Sequence, residues 1–180
     1  MFLLNSCYSK KEDSLLQMMQ QPVSLPLFKM IKISPTNRHL LYGANDDTTF
    51  KLIHYIDSAS CSICELKAIY QWDNFIYKNE VTSSLEYYFI VDARKYNKEQ
   101  LTDALSETYF SQDVYLDSLG VFLKHNTNIP SNRLYHTFLL DKNNNVVLVG
   151  NPLNNTYVEE LLVKTVDNMN RNNGAFVPDN

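Results

Sequence analysis

The hydrophobic pattern along the chain changes period several times, and each change marks an element. "LFKMIKI", Leu27 to Ile33, alternates apolar and basic residues and predicts an outer strand with one wet face. "FKLIHYI", Phe50 to Ile56, is apolar almost throughout and rich in β-favouring residues, so it predicts a central strand. Beyond it the period moves from two to 3.6 at Cys61, with Leu66, Ile69, Tyr70 and Ile76 at helical spacing through "ELKAIYQWDNFIYK". "EYYFIVDA", Glu86 to Ala93, predicts a second buried strand.

Shorter signals fill the rest. Glu12 to Gln20 predicts a short helix, which Pro22 and Pro26 follow with extended chain. Asn97 predicts the cap of a helix with Leu101, Ala104, Leu105 and Tyr109 on one face. "DVYLDS" predicts a short strand, "LGVFLKHN" a short helix, and the two runs between Leu134 and Gly150 a β-hairpin. A last helix is expected to open on a capping box of Thr156 and Glu159 and to turn Val158, Leu161, Leu162, Val166 and Met169 inward. A helix between two strands implies a right-handed crossover with parallel pairing, and the closing hairpin is antiparallel, so a mixed sheet is expected. The expected division is a tether and short helix over 1–26, one domain over 27–169, and an Asn-rich disordered tail over 170–180.

Composition narrows the function. The 180 residues suffice for one domain, and 44% hydrophobic with 20% charged residues is ordinary globular composition. No apolar run approaches the ~18 residues that span a bilayer. A net charge of -4 without a dense Lys/Arg cluster gives no electrostatic reason to expect nucleic acid as a partner. No GxGxxG, P-loop, HExxH or GxSxG pattern occurs, so nucleotide, zinc-protease and serine-hydrolase chemistry have no support, and no cofactor is implied.

Three cysteines are too few for a disulfide-built scaffold. Cys7, in "LLNSCYSKKEDS", ends a stretch like a bacterial lipoprotein signal, although the basic start and long apolar run of such a signal are missing. This reading makes Cys7 a lipid-anchored residue and puts the protein in the envelope or periplasm, where disulfides persist. Cys61 and Cys64 stand three apart where the strand period gives way to the helical one. On a first helical turn Cys61 is expected at the exposed end, with Cys64 behind it within disulfide reach. The helix's unpaired N–H groups and positive dipole end favour a thiolate, lowering a pKa of ~8.5 to somewhere between about 3.5 and 7.5 in such motifs. Cys61 would attack and Cys64 would resolve. A permanent disulfide in a non-catalytic binding module remains open, as does a Cu(I) carrier built on Cys61, Cys64 and His136.

The Cys61-Ser62-Ile63-Cys64 junction, the late hairpin "HTFLLDKNNNVVLVG" and the terminal amphipathic helix together resemble the thioredoxin-like family, in particular envelope thiol-disulfide oxidoreductase-like lipoproteins. The resemblance covers roughly residues 50–169. It implies an α/β, three-layer thioredoxin-like fold with a central mixed sheet, βαβ then β-hairpin and C-terminal helix, behind an N-terminal extension. It also implies thiol-disulfide exchange with protein disulfides, an upstream thiol electron donor, and a monomer. Ser62 and Ile63 stand where the family has Gly-Pro, and His136 stands where it has a cis-proline ahead of Thr137. A cis bond to a non-proline costs about 2.5–4 kcal/mol, so the Tyr135–His136 bond is expected trans. In this fold His136 would lie beside the cysteines, where an imidazolium would stabilise a thiolate; the alternative is a strand-end histidine facing solvent. Asp57, four residues before Cys61, is read either as a proton-transfer group for Cys64 or as a solvated loop residue. His54 is read as a hydrogen-bonded structural histidine.

Overall fold

The computed structural model describes residues 12–35, 50–59, 62–79 and 85–178. Its helices are α1 (residues 12–19), α2 (Ser62–Lys67), α3 (Gln71–Lys78), α4 (Lys98–Ser106), α5 (Val121–His125) and α6 (Thr156–Arg171). The strands are β1 (Ile31–Ile33), β2 (Phe50–Ile56), β3 (Leu85–Asp92), β4 (Val114–Asp117), β5 (Thr137–Leu140) and β6 (Val146–Val149). They form one sheet in the order β1-β4-β3-β2-β5-β6. β2, β3 and β4 run parallel; β1, β5 and β6 pair antiparallel to their neighbours. A parallel crossover followed by an antiparallel hairpin and a terminal helix is the thioredoxin-like arrangement, here with α1 and β1 as the N-terminal extension.

β2 reads as continuously apolar because it is buried on both faces. Phe50, Leu52 and Ile56 face a core built with Leu66, Trp72, Leu101, Leu162, Val166 and Met169 of α2, α3, α4 and α6. Ile53 and Tyr55 face the opposite core, with Met18 of α1, Val121 and Phe122 of α5, and Tyr135. These are the three layers.

Five local expectations change. The expected strand over residues 27–33 is shorter: Leu27–Lys29 is a 3-10 turn and only Ile31–Ile33 pairs with β4. Leu27 and Met30, three apart, both turn toward the α1 core, a spacing that one 3-10 turn satisfies and an alternating strand does not. The helical run after Cys61 divides into α2 and α3 because bonds from Ala68 to Asp73 tighten to the i→i−3 pattern, such as Trp72 N–H to the Ile69 carbonyl at 3.0 Å. That tightening turns both Ile69 and Trp72 inward. Asn97 caps α4 in a capping box with Gln100, but the helix ends at Ser106, and Tyr109 is 90% exposed at φ 54° instead of sharing the buried face. The hairpin begins at Thr137, since Arg133–Tyr135 forms a 3-10 turn. α6 is capped by Asn155, whose side-chain Oδ1 accepts from Tyr157 N–H at 2.9 Å, and not by a Thr156–Glu159 box.

Residues 172–178, expected within a disordered tail over 170–180, fold back over the end of α6. Asn168 accepts from Val177 N–H at 3.0 Å and donates to the Val177 carbonyl at 2.7 Å, while Lys142 N–H donates to the Gly174 carbonyl at 3.1 Å.

Candidate functional site

The sheet delivers its polar groups to one end. β2 closes on Asp57 and β3 on Asp92, and β4 closes on Asp117, which registers opposite Asp92. Just beyond β2, α2 carries Cys64 in its first turn. Cys64 is disulfide-bonded and exposed. Cys64 is thus not shielded from solvent. The inward position of α2 is Leu66, followed by Ile69 in the turn to α3, and Cys64 is two residues, roughly 200° of helical rotation, from Leu66. Cys61 and Cys7, the two other cysteines of the chain, lie outside the described residues.

His136 sits between the 3-10 turn and β5, and its carbonyl accepts from Tyr55 N–H at 2.9 Å, extending the β2–β5 pairing. The Tyr135–His136 bond is trans, as expected. The ring is 3% exposed, which excludes the solvent-facing alternative. It lines a cleft together with Glu65, the residue after Cys64. Nε2 lies 3.0 Å from the Pro130 carbonyl, and Nδ1 lies 3.5 Å from an Asp57 carboxylate oxygen, a charge contact too long for a well-formed hydrogen bond. Burial pushes the His136 pKa down, against upward pulls from the Pro130 carbonyl, Asp57 and Glu65 and with a further downward push from Arg133. The imidazolium expected to stabilise a thiolate is thus disfavoured by the ring's own burial.

Asp57 is 7% exposed, so it is not a solvated loop residue. One carboxylate oxygen accepts from Ala59 N–H at 2.9 Å and closes the turn that leads to α2, and the other faces His136. His54 fits its structural reading: Nδ1 lies 2.9 Å from the Thr137 hydroxyl, and the ring packs 5.1 Å from Trp72 and 6.0 Å from Phe89. Burial, helped by His136, lowers its pKa to about 4.

The sequence reading missed the partners of this end. Asp92 is 1% exposed; burial alone would raise its pKa, but the Arg94 guanidinium, Ser58 and the Arg94 backbone N–H hold it below the usual carboxylate range. Arg94 donates through Nε at 2.9 Å and Nη2 at 2.6 Å. Asp117, fully buried, accepts from Val121 N–H at 2.9 Å and Phe122 N–H at 2.8 Å, capping α5. Among the described residues the buried hydroxyl of Tyr55, near these carboxylates, has no hydrogen-bond partner, and its pKa is raised by burial first and by Asp92 next. A signal was present: each of the runs "LIHYID", "YFIVD", "VYLD" and "TFLLD" closes on an aspartate. Among the described residues no group of three or more His, Cys, Asp or Glu side chains could hold a metal ion, and no helix is long and apolar enough to cross a membrane.

No family model and no curated protein matches the chain. Among solved structures it is similar to a thioredoxin-like protein in the oxidised form, at 18% identity and a TM-score of 0.49, over 82% of this chain and 95% of that one. It is also similar to the thioredoxin domain of a thiol-disulfide oxidoreductase from Bacteroides vulgatus, at 16% identity and a TM-score of 0.47, over 79% and 98%. A thiol-disulfide oxidoreductase from Bacteroides fragilis aligns at 14% identity and a TM-score of 0.44, over 78% and 99%.

Proposed function

We propose that the protein is a thiol-disulfide oxidoreductase of the cell envelope that exchanges protein disulfides through Cys61 and Cys64. The observation that carries the proposal is an exposed, disulfide-bonded Cys64 in the first turn of the helix that follows the central strand. Its disulfide partner in this reading is Cys61, since residues three apart on a helical turn stand about 5 Å apart at Cα, within the range a disulfide spans.

In the reduced protein the Cys61 thiolate attacks one sulfur of a substrate disulfide, forming a mixed disulfide and expelling a substrate thiolate that takes up a proton. The Cys64 thiolate then attacks the Cys61 sulfur and expels the second substrate thiolate. The substrate gains two electrons and the pair becomes a disulfide, which an upstream thiol donor reduces again. Because Cys64 is itself exposed, resolution takes place at the surface instead of from a shielded position. The Cys7 lipid anchor belongs to the same proposal, as the tether that would hold the domain at the envelope.

The test is reduction of insulin disulfides by the parent protein and by Cys61→Ser and Cys64→Ser variants. Turnover is expected in the parent and in neither variant, with mixed disulfides trapped by Cys64→Ser. A Cys61→Ser protein as active as its parent would exclude Cys61 as the attacking group. An inert parent would favour the second reading, a non-catalytic binding module, which the presence of His136 in place of the family's proline supports.

A further inference from the structure

The cleft that His136 shares with Glu65 has a volume of about 790 Å³ and runs from α2 past the 3-10 turn before β5 to the loop that leads into α6. Trp72 is part of its lining, and Leu134, 65% exposed, stands at its edge. Among the described lining residues the charged side chains are Glu65 and Arg133, and they are bonded to each other. The cleft therefore presents no unbalanced charge.

Three asparagines in the lining share one arrangement. Asn132, Asn151 and Asn155 each cap a helical turn, their side-chain oxygens accepting from Leu134 N–H at 3.1 Å, Leu153 N–H at 2.9 Å and Tyr157 N–H at 2.9 Å. A backbone N–H needs an acceptor, so these bonds fix which end of each carboxamide is oxygen and which is nitrogen. The three NH₂ groups are then held in orientation, and none has a hydrogen-bond partner among the described residues. Pinned donors around a charge-balanced cleft complement a ligand rich in uncharged acceptors, and main-chain carbonyls of extended polypeptide are the commonest such groups.

We propose that Asn132, Asn151 and Asn155 are specificity-determining residues that hold an extended, uncharged stretch of substrate polypeptide by its main-chain carbonyls. The proposal rests on the thiol-exchange reading for its biological meaning, since the stretch would flank the substrate cysteine, but its binding test needs no redox step. Charged side chains are selected against because Glu65 and Arg133 already satisfy each other, and an added charge would enter the cleft without a partner.

The experiment measures fluorescence anisotropy of a short, labelled, cysteine-free peptide of Ala, Ser and Thr, alongside the same peptide carrying Glu or Lys at alternate positions, with the full chain. The variant is Asn132→Ser/Asn151→Ser/Asn155→Ser; serine caps a helix about as well as asparagine, so the caps survive while the three NH₂ donors go. A companion triple Asn→Asp variant keeps side-chain size as well. The parent is expected to prefer the neutral peptide, and both variants to bind it at least about tenfold more weakly, from the loss of several neutral hydrogen bonds. Equal affinity for the three peptides, no measurable binding to the parent, or unchanged binding by both variants overturns the proposal. If insulin reduction succeeds while peptide binding ignores the asparagines, this inference falls and thiol exchange stands. If the parent is redox-inert yet binds in an asparagine-dependent way, the reverse holds.

Discussion

The three parallel strands end side by side in buried aspartates, and the β3–β4 end differs from the β2–β5 end in how its carboxylates are satisfied. Asp92 and Asp117 are closed accounts: one takes a two-pronged guanidinium and a backbone N–H, the other takes two N–H groups of α5 at 2.9 and 2.8 Å. Asp57, one strand over, spends one oxygen on the turn before α2 and faces His136 across 3.5 Å with the other. Short, well-aimed bonds hold a fold, whereas the long charge contact leaves the His136 ring open to the upward pull of the Asp57 carboxylate on its pKa. That long contact lies at the end of β2, the strand that precedes α2 and Cys64.

The largest expected consequence lies at the well-bonded end. Asp117→Ala removes an α5 cap and strands two buried N–H groups, so denaturant unfolding is expected to show a loss of about 3 kcal/mol or more. Asp117→Asn, which keeps one acceptor, is expected to lose less. A loss from Asp117→Ala no greater than that from Asp57→Ala would erase the distinction between the two ends.

Much of this layout was legible before coordinates. β2 and β3 announced themselves because burial on both faces leaves an unbroken apolar run, and α4 and α6 because their buried positions recur at helical spacing. The failures came where a short-range feature competed with the pattern. Leu27 and Met30 reach one core only through the 3-10 turn, which the apolar–basic alternation of the same letters hides, and Asn155 outcompetes Thr156 as the α6 cap by one position. At the site, the junction that carries Cys64 was legible from the change of period, but the exposure of Cys64 depends on which side of α2 Leu66 claims. Asp57 looked like a loop residue because nothing local shows that His136, 79 positions later, will bury it. The strand-closing aspartates were visible as a pattern, though their different partners are made only by the tertiary fold.

His54 gives an effect of intermediate size. Its folded pKa of about 4 lies below the unfolded value of 6.5, so between these limits the unfolded chain binds the extra proton. Stability is therefore complete above pH 6.5 and is lost as pH falls toward 4. The full shift corresponds to at most about 3 kcal/mol, and because the ring has an edge on the cleft, about 2 kcal/mol is the expected loss. His136 adds to it in the same direction. Urea unfolding across this range should show the slope in the parent and a shallower one in His54→Gln; identical slopes would place the pH dependence elsewhere.

The smallest effect on stability is expected from Asp57→Asn. Asparagine keeps the oxygen that Ala59 N–H needs and gives up the 3.5 Å charge contact with His136, which is too long for a well-formed hydrogen bond, so the cost from that contact should stay below about 1 kcal/mol. The change in charge, however, acts on His136. The Asp57 carboxylate pulls the His136 pKa upward against burial, so its removal leaves burial less opposed and the imidazole should titrate at lower pH than in the parent. NMR titration of the His136 ring protons reads this without reference to turnover, and an unmoved or higher midpoint would mean that the two groups are not coupled. If thiol exchange has an acidic limb governed by His136, that limb should move by the same amount and in the same direction. A limb that stays fixed while the ring titration moves would assign the proton of the exchange step to a different group, and would leave the Asp57–His136 contact a feature of the cleft wall alone.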